Sequence, residues 1–181
     1  MIIGLTGPLA AGKGTISKYL EKNYQAQSIR FSDPLRDIIN RLYHDPTRET
    51  MSSLAVFLRS QYGEDILIQT LLKDIDAKGD GLFILDGLRY PEEDEELSKR
   101  DDFELWAVDT KLETRYQRII IRDENESDKK LTLDEFKAQH SLKTEQYTPA
   151  LMKKADRSFN NDGTLQQLYD QVEKAIKELG L

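Results

Sequence analysis

The stretch GLTGPLAAGKGT, residues 4–15, follows the apolar start Met1-Ile2-Ile3 and misses the phosphate-loop pattern G-x-x-x-x-G-K-[ST] by one letter. Gly7 and Gly12 have the required spacing and Lys13 follows. Gly14 then occupies the place of the usual hydroxyl, and Thr15 stands one position late. The segment lies between a strand-like run and a helix-like run, which is the context the motif needs. Glycines let successive backbone N–H groups approach phosphate oxygens closely. The following helix adds its positive N-terminal end, and Lys13 adds a point charge on a flexible stem. Because Gly14 has no hydroxyl, a metal ion here is expected to be held through water or through Thr15.

Working outward, strand-like and helix-like segments alternate, which predicts an α/β domain with a mostly parallel sheet. Met1–Thr6 reads as a buried strand, and a helix from about Thr15 follows, with Ile16, Tyr19 and Leu20 at i, i+3 and i+4. Further strand-like runs lie at Ala26–Phe31, Leu82–Leu85, Phe103–Val108 and Arg157–Phe159, making five. Leu54, Phe57 and Leu58 mark a helix between them. Leu165, Leu168, Val172, Ile176 and Leu179 mark a C-terminal one, introduced by the turn Asn161-Asp162-Gly163-Thr164. The polar run Asp123–Lys130 reads as a solvated loop where a lid could sit.

Composition bounds the function. A chain of 181 residues suits one domain, without repeats or low-complexity linkers. No apolar run approaches the roughly 20 residues of a membrane helix. No basic leader or small-residue cleavage site opens the chain, so a cytoplasmic location is expected. There is no cysteine, which excludes disulfides and thiolate metal sites. The net charge of −7 argues against long nucleic acid as the main partner. Neither His44 nor His140 has a second histidine nearby in sequence, so neither reads as a metal ligand.

The loop GxxxxGKGT, with glycine between lysine and threonine, resembles that of adenylate-kinase-type nucleoside monophosphate kinases. Three more segments carry the resemblance. IRFSDPLR, Ile29–Arg36, is similar to the family's acceptor-site stretch, which implies that Arg36 clasps the acceptor phosphate. LFILDGLR, Leu82–Arg89, is similar to the strand ending Leu-Asp-Gly. That match implies Arg89 as a second phosphate-holding arginine, one residue early; Asp86 ends an apolar strand, where an aspartate has little structural reason to stand unless it meets a metal-bound water or Lys13. RIIIR, Arg118–Arg122, has the family's spacing at the base of the lid. The resemblance implies a P-loop kinase three-layer sandwich over 1–181, an acceptor-binding helical segment at about 34–75 and a short lid at about 122–132. It further implies ATP and Mg²⁺ as cofactors and a small nucleotide-like acceptor.

The chain also departs from that family. After the lid it offers Lys137, Lys143, Lys153 and Lys154 where the family has arginines, and lysine cannot form the bidentate fork. Gln139, Ala155, Asp156, Asn161 and Gly163 loosely fit dephospho-coenzyme-A kinases instead. The two resemblances together imply as acceptor a nucleoside monophosphate, the preferred reading, or the ribose 3′-hydroxyl of dephospho-coenzyme A. The hydroxyl acceptor would need a base, with Asp33 the candidate. A non-catalytic nucleotide-binding switch is the remaining alternative, although no asparagine precedes a lysine as in guanine-reading segments.

Each residue also has a plainer reading. Asp33 suits a helix cap before Pro34, while Arg36, Arg89, Arg118 and Arg122 could be solvated charges. The places of Arg36 and Arg89 just past strand ends favour binding, because open parallel sheets bind ligands there. The expected donor site is Gly7, Gly12, Lys13, Gly14, Thr15, Arg118 and Arg122. The expected metal ligands are Thr15 and Asp86, and the expected transfer residues are Lys13, Arg36, Asp86, Arg89 and Arg122.

Overall fold

The apolar run behind the glycine loop becomes the centre of the sheet. Strand β1 (Ile2–Thr6) is buried at all five positions, as a parallel strand covered on both faces must be. A computed structural model of the protein describes residues 1–121, 132–139 and 146–181. Its sheet adds β2 (Gln27–Arg30), β3 (Phe83–Asp86), β4 (Phe103–Asp109) and β5 (Arg157–Asn160) in the order β2-β3-β1-β4-β5. Every pairing is parallel. All five expected strands are present: β4 and β5 each end one residue later, β3 is shifted by one residue, and β1 and β2 are one and two residues shorter than expected.

Among the described residues nine helices surround the sheet: α1 (Lys13–Tyr24), α2 (Asp33–Arg41), α3 (Arg48–Tyr62), α4 (Ile66–Lys78), α5 (Pro91–Leu97), α6 (Leu112–Ile121), α7 (Leu133–Gln139), α8 (Thr148–Lys154) and α9 (Leu165–Glu178). The alternation of side chains along β1 divides the core in two. Ile3 and Leu5 pack with Ile16 and Leu20 of α1 and with Leu168, Val172 and Ile176 of α9. Ile2 turns to the other face, against Ile68, Leu71 and Ile75 of α4. Each such side chain contributes about 1.5–3 kcal/mol by leaving water. Trp106 is fully buried, and its indole N–H donates to Glu104 Oε2 at 2.7 Å, which satisfies its one polar atom.

A smaller apolar cluster of Leu35, Ala55 and Leu67 ties α2, α3 and α4 to one another beside the sheet. The C-terminal helix begins where its turn residues predict. Thr164 Oγ1 accepts from Gln167 N–H, and Gln167 Oε1 accepts from Thr164 N–H, a reciprocal capping box. Helix α1 starts at Lys13, two residues before the expected Thr15. Gly12 sits in the left-handed region at φ 110°, and its carbonyl already accepts from Thr15 and Ile16 N–H. Asp33 does not cap the chain in the expected way. Helix α2 begins at Asp33 itself, and its Oδ2 accepts the Arg30 N–H at 2.7 Å. Among the described residues no helix is long and apolar enough to cross a membrane.

Candidate active site

The loops at the carboxyl edge of the sheet surround a cavity of ≈ 1070 Å³, where open parallel sheets bind ligands. One wall is the glycine loop and the first turn of α1, with Gly12, Lys13, Gly14 and Thr15 lining it. Lys13 Nζ donates to Gly7 O at 2.6 Å and Pro8 O at 3.1 Å, so the ammonium lies across the loop that precedes it.

The loop is held from behind by its carbonyls. Thr110 Oγ1 and Asn161 Nδ2 both donate to Ala11 O, at 2.9 and 2.7 Å, and Arg115 Nη1 donates to Leu9 O at 3.2 Å. Arg115 is itself buried, and its Nε donates to Thr110 O. The two motif glycines are required by this backing. At Gly7, φ 138°, a Cβ would lie 2.3 Å from Val108 O. At Gly12 it would lie 2.1 Å from Asn161 Nδ2. Gly14 has open space around it, so no packing demands glycine there.

The cavity brings together Gly12, Lys13, Gly14, Thr15, Asp86, Arg89 and Arg118 from among the residues picked out in the sequence. Asp86 ends β3, paired with Leu5 on one side and Arg30 on the other. Arg118 Nη2 donates to Asn161 O at 2.7 Å, while its buried Nη1 has no hydrogen-bond partner among the described residues. A buried guanidinium nitrogen left this way suits an anionic or acceptor-bearing ligand. Gly7 is buried behind the loop. Arg36, on the first turn of α2, is partly buried and is not among the lining residues, and neither is Asp33. Arg122, His140, Lys143 and nearly all of the expected lid lie outside the described residues.

The lining also holds groups that the sequence reading passed over. Arg48, Ser52, Ala55 and Arg59 recur at four-, three- and four-residue steps along one face of α3 and all line the cavity. That stripe was readable as a helical face with two cations. The Arg59 guanidinium carbon sits 4.7 Å from the centre of the Tyr90 ring, and its Nη2 is 3.8 Å from Glu93 Oε1. Glu93 is buried, and its Oε2 accepts the N–H groups of Arg89 and Tyr90 at 2.9 and 3.1 Å. Burial pushes its carboxyl up to about 7, against the opposing pull of those two N–H groups and of the Arg59 and Arg89 charges.

Among the described residues seven cationic side chains, Lys13, Lys18, Arg30, Arg48, Arg59, Arg89 and Arg118, line the cavity against two carboxylates, Asp86 and Glu93. In a chain of net charge −7 that local excess focuses positive potential on the cleft. Among the described residues no group of three histidines, cysteines or carboxylates could hold a metal ion alone. The donors present, the Thr15 hydroxyl and the Asp86 carboxylate, fit a hard cation that takes most of its oxygens from phosphates and water, as magnesium does.

Comparison with known proteins agrees with this architecture. The family profile described as an AAA domain matches residues 3–143. Similar sequences include a "UPF0200 protein" of Methanoculleus marisnigri, 25% identical over 99% of this chain and 97% of that one. Another, from Methanothermobacter thermautotrophicus, is 25% identical over 99% and 90%. Among solved structures, a shikimate kinase from Bacteroides thetaiotaomicron superposes with a TM-score of 0.65 at 18% identity, covering 100% of this chain and 99% of that one. Shikimate kinase from Acinetobacter baumannii, in complex with shikimate, gives 0.56 at 15% identity over 98% and 92%. The fold is that of the P-loop kinases.

Proposed function

The chain belongs to the AAA domain family, and on that premise we propose that it is an ATP-dependent phosphotransferase whose acceptor is a nucleoside monophosphate. The observation that carries this reading is the set of cations that line the same cavity as the glycine loop, above all Arg48, Arg59 and Arg89. A monophosphate acceptor is dianionic and must approach the donor's phosphates, so fixed guanidinium groups have to offset the repulsion. Asp33, the base that a hydroxyl acceptor would call on, spends an oxygen on the Arg30 N–H and does not line the cavity.

In this reading the loop amides, the α1 N-terminus and Lys13 hold the donor's terminal phosphates, and Arg118 serves the same half of the site. Thr15 and Asp86 would hold magnesium, which when bound neutralises charge on the donor phosphates. Arg59 and Arg89 aim the acceptor oxygen in line. Arg36 and Arg122 are further candidates that the resemblance supplies. No general base is needed, because a phosphate monoester is already a nucleophile. The chain acts as one domain over 1–181. The segment at about 34–75, which α2, α3 and most of α4 occupy, receives the acceptor; the lid that the resemblance implies at about 122–132 falls almost wholly outside the described residues.

The test is a coupled ADP-release assay across the ribo- and deoxyribonucleoside monophosphates, dephospho-coenzyme A and shikimate. Turnover with at least one monophosphate is expected. Turnover with a hydroxyl acceptor alone, or with none, overturns the reading.

A further inference from the structure

Glu93 is an acidic side chain in a cavity otherwise rich in cations, and it is buried where a charged carboxylate is costly. Its three interactions reach two separate pieces of chain. Oε2 takes both backbone N–H groups of Arg89 and Tyr90, in the loop that leaves β3. Oε1 faces Arg59, which stands on α3 more than thirty positions earlier in the sequence. Arg59 is confined a second time by the Tyr90 ring beneath it. The charged groups facing the carboxylate are therefore Arg59 from α3 and Arg89 from the loop.

Resting on the monophosphate reading, we propose that Glu93 is the positioning residue of the acceptor-phosphate clamp: its carboxylate locks the loop bearing Arg89 to Arg59 of α3, so that the two guanidinium groups present one anion site. It does not touch the acceptor. A residue that only capped α5 would be replaced without loss by glutamine, whose oxygen can still accept the two N–H groups. The clamp needs the negative charge as well, because a glutamine amide turned toward Arg59 offers donors to a donor.

The probe is inorganic phosphate, followed at the backbone amide signals of Arg89 and Tyr90 by NMR on the full chain. In the unsubstituted protein these two signals should shift with pH around a midpoint near 7, and phosphate should perturb them. Glu93→Gln should abolish that titration and weaken phosphate binding at these amides by roughly tenfold. In an Arg59→Ala background, Glu93→Gln should weaken it little further, since the charge then has no partner to hold. Near-UV circular dichroism of buried Trp106 checks that each variant is folded. Phosphate binding that Glu93→Gln leaves untouched, or losses from Glu93→Gln and Arg59→Ala that simply add, overturns the clamp alone. A protein in which phosphate never reaches these amides overturns the acceptor reading and the clamp with it.

Discussion

Asn161 Nδ2 stands 2.1 Å from the point that a Cβ on Gly12 would occupy, while donating to Ala11 O at 2.7 Å. The end of β5 thus presses directly on the glycine loop after β1, across 149 positions of sequence.

Gly12→Ala is accordingly expected to destabilise the protein by about 2–4 kcal/mol, from the left-handed φ and the clash together. Asn161→Ala should cost less, because Thr110 Oγ1 still donates to Ala11 O. The double variant should recover only the clash, leaving the backbone strain. Urea unfolding of the four proteins measures this. Equal stability of Gly12→Ala and the native protein would refute the buttressing account.

Lys13→Ala should leave the fold largely intact, since the Nζ contacts to Gly7 O and Pro8 O lie within its own loop, which Thr110, Asn161 and Arg115 hold from behind. Turnover should fall by several powers of ten, each worth roughly 1.4 kcal/mol of transition-state stabilisation. Steady-state ADP release beside a thermal melt separates the two effects. A folded Lys13→Ala protein with near-native turnover would remove the kinase mechanism.

Gly14→Ser should be tolerated. The position is exposed, a Cβ there meets nothing within 4 Å, and serine in the first helical turn is favoured over glycine by about 0.5 kcal/mol. Activity should stay magnesium-dependent before and after the change. A metal-independent native protein would contradict the part assigned to Thr15 and Asp86.

Arg59→Ala and Arg89→Ala should each raise the acceptor KM by roughly ten- to hundredfold, the range of one or two lost charge-assisted contacts, and lower kcat too. The donor KM should stay within about threefold by the same reasoning. Arg36→Ala should move the acceptor KM less than either, since Arg36 does not line the cavity. A larger loss at Arg36 than at Arg59 would return the acceptor role to α2.

The raised carboxyl of Glu93 makes a prediction about stability with a definite sign. Its value in the folded chain, about 7, lies above the 4.5 of an unhindered glutamate, so folding favours the protonated form. The associated stability is fully present below pH 4.5 and is lost as the pH rises through 7, by at most about 3 kcal/mol. Glu93→Gln stays uncharged throughout. Its stability relative to the native protein should therefore rise from pH 4.5 to pH 8. A difference that is flat with pH would show that Glu93 ionises as an ordinary surface acid does.

The sheet and the edge that carries the cavity were legible in the sequence because both are written in local patterns. Continuous apolar runs such as Ile2–Thr6 can only be satisfied between two helical layers, and the glycines of GLTGPLAAGKGT announce a loop between strand and helix. That local logic puts Lys13, Thr15, Asp86 and Arg89 at strand ends, whereas Arg118 came in only through the family resemblance; all five line the cavity. The backing of the loop by Asn161 and Arg115 was not readable, nor was the meeting of Arg59 with Tyr90 and Glu93. Periodicity says which face of a helix is buried, and nothing in it says which distant loop that face will meet. Arg36 illustrates the same limit from the other side: its position after a strand is local information, but the direction of α2 is set by Leu35 packing with Ala55 and Leu67 of two other helices. Strands, turns and phosphate loop follow from neighbours in sequence. The α3 lining of the cavity follows from long-range packing, which alone brings residue 59 beside residue 93.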